Sequence, residues 1–181
     1  LEKIVQYNVQ SSEKEKFDGV MLDIEPYISD SWKENPEEYM DRYISCMKKG
    51  YKFAQKNHLR TAICIPRHYD NQGLTSGLEE LIKETCDEVA VMNYSCGNEI
   101  EAIRTEAALS EKYGKELHCI LEFQEVGKHG LTENKTYRNK GIDNAKETWE
   151  KLQKEYKNIN VTRDYHWSRP VREMLEEKNA D

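Results

Sequence analysis

No stretch of this chain approaches the roughly 18 apolar residues of a membrane-spanning helix, and no lysine and arginine cluster interrupts its acidic balance. The first absence leaves no membrane span in the segment. The second removes the electrostatic footprint of a nucleic-acid partner, because phosphate contacts need concentrated positive charge. The cysteines are Cys46, Cys64, Cys86, Cys96 and Cys119, odd in number and without a CxxC pair. Neither a zinc site nor a disulfide framework is therefore expected. Cys64 and Cys119 fall inside apolar runs and read as small core residues. His68, His118, His129 and His166 show no HxH or HExxH spacing, so no metal is expected. GxGxxG, P-loop and GxSxG signatures are missing too, and no cofactor is expected. No signal-peptide pattern stands at the start, which leaves the compartment open.

What is present is a hydrophilic chain of 181 residues with net charge −7, 34% charged and 37% apolar. That apolar share suits one core, and a single α/β domain over residues 1–181 is expected. Strand patterns fall at 17–25, 61–66, 88–94, 117–123 and 160–167. Helix patterns fall at 2–14, 36–57, 78–85, 98–113 and 139–157, with a last one starting at Arg169. Asn35-Pro36 supplies an N-cap and a first-turn proline for the longest helix. Within it Tyr39, Tyr43, Met47, Tyr51 and Ala54 recur every three or four positions, as one buried face requires. The strands are short and mostly apolar on both faces, and no hairpin signal separates them. Both traits suit a parallel sheet covered by helices.

The segment Phe17-Asp18-Gly19-Val20-Met21-Leu22-Asp23-Ile24-Glu25-Pro26 carries the most chemistry. Its apolar half reads as a strand, and Asp23 and Glu25, two residues apart, would project from one face of it. Neighbouring carboxylates repel, so one would hold its proton longer than the other, a condition for acid catalysis. Further polar and aromatic side chains stand at the ends of the later strands. They are Arg67 and His68, Asn93 and Tyr94, Glu122 and Gln124, and His166 and Trp167. Asn93, Tyr94 and Gln124 suit hydroxyl or acetamido groups, and Trp167 suits stacking on a pyranose.

The motif resembles the active-site strand of glycoside hydrolase family 18, the chitinase and endo-N-acetylglucosaminidase family, whose pattern is Asp-Gly-x-Asp-x-Asp-x-Glu. Asp18, Gly19, Asp23 and Glu25 match it, while Met21 stands at the middle aspartate. Met92-Asn93-Tyr94-Ser95 is similar to the family's Met-x-Tyr-Asp segment, with Ser95 in place of aspartate. Trp167 is similar to the tryptophan that floors the sugar subsite. The resemblance implies a partial (β/α)8 TIM barrel holding strands four to eight, because a complete barrel takes about 250 residues; a natural open five-stranded α/β domain is the main alternative. It implies self-association through open sheet edges. It also suggests an extracellular or cell-surface setting.

For function, the resemblance implies hydrolysis, present or former, of oligosaccharides or polysaccharides containing N-acetylglucosamine. Glu25 would be the acid and later the base, Asp23 would orient the acetamido group, and Tyr94 would support it. Trp167, Asn93, Glu122 and Gln124 would contact the glycan. Two alternatives stand beside this reading. One is a noncatalytic sugar-binding or truncated inactive barrel, favoured by Met21 and Ser95. The other is a retaining glycosidase with Glu25 as acid and Glu122 as nucleophile, which requires the two carboxyl groups to lie about 5–5.5 Å apart.

Overall fold

The structure, a computed structural model, describes residues 1–180, with side chains through Glu177. Five strands form one parallel sheet in the order β1-β2-β3-β4-β5, so each strand neighbours its successor in sequence. The expected α/β class with a parallel sheet is thus present. None of the described helices is long and apolar enough to cross a membrane. Contacts gather into two compact units, the first comprising Leu1–Ile65 and Tyr69–Val89, the second Pro66–His68 and Ala90 onward.

The first unit contains α1 (Glu2–Gln10), β1 (Gly19–Asp23), α2 (Asp30–Glu34), α3 (Pro36–Lys56), β2 (Arg60–Pro66, all but its last residue) and α4 (Thr75–Thr85). It ends with the first two residues of β3 (Glu88–Met92). β1 pairs with β2 in parallel register, from Gly19↔Arg60 to Asp23↔Cys64. Glycine at position 19 is required by that pairing, because a Cβ there would lie 2.9 Å from the Arg60 carbonyl oxygen. Every residue of β2 after Arg60 is buried, as expected of a strand covered on both faces. β1 lies at the edge of the sheet and has no buried residue, and Phe17, Met21 and Ile24 are exposed around it.

The Asn35 side chain caps α3 by accepting from the Glu38 N–H, with Pro36 at the first helical position. The face of α3 that buries is Met40, Tyr43, Ile44, Met47 and Ala54. Tyr39 and Tyr51, expected on that face, are half-buried at its margin. Helix α4 packs on α3, and it comes close because Gly77 leaves room for Met40. A Cβ at 77 would meet Met40 Cγ at 2.6 Å.

The second unit holds the end of β3, α5 (Glu99–Ala102), α6 (Arg104–Tyr113), β4 (Glu116–Glu122), α7 (Ile142–Glu155), β5 (Val161–His166) and α8 (Ser168–Ala180). The helix expected over 98–113 is thus two, separated at Ile103, whose φ of −125° leaves the helical region. Gly114 ends the second of them in a left-handed conformation, the usual glycine stop. β4 and β5 pair in parallel from Leu117↔Val161 to Glu122↔His166. Cys119 on β4 is fully buried, as is Cys64 on β2 in the first unit, so both are core thiols. Trp149 of α7 anchors this core by donating its indole N–H to the Cys119 carbonyl at 3.0 Å and stacking on Phe123.

Candidate functional site

The first candidate constellation grows from the end of β1. Strand geometry stops at Asp23, and Glu25 has irregular backbone (φ −109°, ψ 73°) ahead of a 3-10 segment, Pro26–Ile28. Proline cannot extend the ladder, so the chain bends there. The strand alternation that would set Asp23 and Glu25 on one face therefore does not reach Glu25. Met21, by contrast, shares a strand face with Asp23 and is 50% exposed.

Glu25 is half-buried, and its Oε1 accepts a hydrogen bond from the Tyr27 hydroxyl. The Tyr27 ring meets Tyr69 edge-on at 6.1 Å, and Tyr69 in turn packs against Trp32 at 5.5 Å. Both of those rings are buried, giving Glu25 a firm aromatic bed. Ser29 fixes Trp32 by capping α2, its Oγ accepting from the Trp32 N–H at 3.2 Å. Burial raises the Tyr27 phenol far above its ordinary range, and the Glu25 hydrogen bond and the Glu25 and Asp23 charges add to it. The phenol thus stays a proton donor throughout the working pH range. Burial also raises Tyr69, with a smaller push from Glu25. Asp23 itself is exposed.

The second constellation sits at the ends of β4 and β5. Alternation puts His118 and Glu122 on one face of β4 and Thr162, Asp164 and His166 on the matching face of β5. Two histidine–carboxylate pairs result. His118 Nδ1 lies 3.1 Å from Asp164 Oδ2, and His166 Nδ1 lies 2.7 Å from Glu122 Oε2. His118, which sits inside a strand, is thus a half-buried histidine with a carboxylate partner.

Glu122 is only 2% exposed, and both of its oxygens are occupied. Oε1 accepts from the Phe123 and Gln124 N–H groups at 2.8 Å each, while Oε2 takes the Gln124 amide at 3.3 Å and faces His166. Burial pushes this carboxyl group upward. The His166 interaction and the two backbone N–H donors outweigh that push and hold it below the ordinary carboxylate range. Chemically, Glu122 is suited to orienting His166, whose Nδ1 faces its Oε2. Attack by Glu122 on a sugar carbon would require it to surrender these hydrogen bonds.

The remaining expected residues fall as follows. Gln124 is half-buried, committed to Glu122 through both its backbone and its amide. Tyr94 is half-buried, its ring 5.9 Å from that of His166. Trp167 is 44% exposed and follows His166 through a cis peptide bond. Asn93 is 1% exposed, and its amide nitrogen donates to the Glu99 carbonyl at 2.9 Å, so that donor is used inside the fold. Among the described residues no group of three or more His, Cys, Asp or Glu side chains is arranged to hold a metal ion. Sequence reasoning missed Tyr27 and the pairing of Glu122 with His166. The tyrosine two places after Glu25 was a visible signal for the first. For the second, only the register between strands 44 residues apart reveals the contact.

Comparison with known protein families, curated proteins and solved structures returns no match.

Proposed function

We propose that this chain is a glycoside hydrolase-like domain acting on glycans that contain N-acetylglucosamine, with Glu25 as the proton donor. The observation carrying this reading is the placement of Glu25 just past the C-terminal end of a parallel strand, hydrogen-bonded to a permanently protonated tyrosine. Parallel α/β enzymes put their chemistry at that edge of the sheet. A half-buried carboxyl group held by one neighbour is free to exchange its proton with a bound substrate. Once that proton is given to the glycosidic oxygen, the Tyr27 hydroxyl stabilises the carboxylate left behind. Asp23, exposed two residues earlier, faces the substrate's acetamido group.

The uninterrupted strand order supports a barrel segment, since a doubly wound sheet reverses its order at a switch point. The Met21 side chain, where an aspartate would share charge with Asp23, favours slow turnover. A noncatalytic sugar-binding domain is the second reading, and the same residue is what favours it. Incubation with a chito-oligosaccharide distinguishes them. Release of new reducing ends by the native protein and none by Glu25→Gln supports hydrolysis. Retained binding without product from either protein supports the binding domain, and equal turnover by both rejects Glu25 as the acid.

A further inference from the structure

The second unit contains a cavity of about 600 Å³ that neither constellation uses. Its floor is a hydrogen-bonded chain. Glu99 Oε1 accepts from the Gly97 N–H at 2.9 Å and from the Tyr137 hydroxyl, and Tyr137 is 2.8 Å from Thr148 Oγ1. Glu99 is only 8% exposed, yet it has no cationic partner among the described residues. Its second oxygen, Oε2, makes no hydrogen bond there and is not sealed from the cavity. The two donors to Oε1 offset part of its desolvation, but among the described residues no cation lies within ion-pair distance of the group to neutralise a charge there. Glu122, buried in the same unit, has His166 beside it.

Asn144, Thr148, Lys151 and Glu155 line one side from a single face of α7, at the three- and four-residue spacing of a helix. Burial and the Glu99 charge raise the neighbouring Cys96 thiol to about 11, so it lines the cavity as a neutral group. The lining thus offers the second Glu99 oxygen, the carboxylates Glu101 and Glu155, and amide and ammonium donors from Asn144, Lys140 and Lys151.

We propose that this cavity binds a small molecule carrying one protonated amine together with hydroxyl or carbonyl oxygens, the chemistry shared by amino sugars and amino acids. The ammonium group supplies the missing counter-charge to Glu99 Oε2, and the ligand's oxygens accept from Asn144 and Lys151. The inference does not rest on the hydrolase reading, since no residue of the Glu25 constellation takes part.

The test is a titration of the native protein with glucosamine, N-acetylglucosamine and glucose, followed by backbone amide chemical shifts. Glucosamine is expected to shift Cys96, Gly97, Tyr137 and Thr148 and to bind at least tenfold more tightly there than the two neutral sugars. Glycine methyl ester, an unrelated amine, should shift the same amides. Glu99→Gln, which keeps an acceptor for Tyr137 and Gly97, should lower the glucosamine affinity at least tenfold. Equal binding of all three sugars at these residues would overturn the proposal, as would no shift there with either amine. Because those comparisons use native protein, the outcome stands even if the variant folds poorly. Loss of glycan hydrolysis in Glu25→Gln leaves these shifts unchanged, so the two claims fail separately.

Discussion

Glu25 and Glu122 are the same residue type just past or at the end of a parallel strand, yet their surroundings differ in kind. Glu25 is half-buried and held by one tyrosine hydroxyl. Glu122 is buried under two backbone donors, a side-chain amide and a histidine. The difference teaches what each can do. A carboxyl group with one partner can trade its proton with a substrate, whereas one with every lone pair engaged is a fixed charge that orients its neighbour. Strand-end position alone does not separate the two roles; the number of donors around each group does.

The largest effect expected from this contrast is on catalysis at Glu25. Glu25→Gln should lower turnover of a chito-oligosaccharide by about 10²- to 10⁴-fold, the usual worth of a positioned acid, with glycan affinity retained in calorimetry. Next comes stability at the other end of the comparison. Glu122→Gln should cost about 1–3 kcal/mol in chemical denaturation, because a charge-accepting hydrogen-bond network is replaced by a neutral one.

The pH dependence of that loss has a definite sign. The Glu122 carboxyl group lies lower in the folded state than in the unfolded chain, so its contribution is complete above about pH 4.3, the unfolded value. It is lost as the pH falls through the lower folded value. The variant should therefore show a shallower acid-side decline than the native protein, measured by denaturation midpoints between about pH 5 and pH 2. An identical decline in both proteins would remove Glu122 from the account.

A smaller change is expected at Tyr27. Tyr27→Phe keeps the ring against Tyr69 and removes the hydroxyl that donates to Glu25. Turnover should fall about tenfold, the scale of one hydrogen bond to a charged group, while thermal stability changes little. The smallest structural effect belongs to Met21→Asp. Position 21 is exposed, so the substitution should cost under about 0.5 kcal/mol. It restores a carboxylate on the strand face of Asp23, and turnover should rise.

Much of the fold could be read from local chemistry. Asn35 and Pro36 announced the start of α3, Gly114 the end of α6, and the apolar run after Arg60 a covered strand. These signals act over a few residues and need no tertiary partner. The break at Ile103 was not visible, because β-branched isoleucine is an ordinary helix residue and only its surroundings place it outside the helical region. The early stop of β1 was visible in principle, since Pro26 marks it. Glu25 was identified by its motif, but its tyrosine partner and its irregular backbone come from the fold. Glu122 read in sequence as a strand-end glycan contact or as the nucleophile of a retaining pair. Its commitment to His166 depends on the register of β4 against β5, which no local pattern encodes.

The most direct measurement is side-by-side progress curves for the native protein, Glu25→Gln and Glu122→Gln on a fluorogenic chito-oligosaccharide, at a pH where all three remain folded. The account predicts release of fluorophore by the native protein, loss of at least about 10²-fold with Glu25→Gln, and a much smaller change with Glu122→Gln. Undiminished release by Glu25→Gln, or a loss confined to Glu122→Gln, would contradict it.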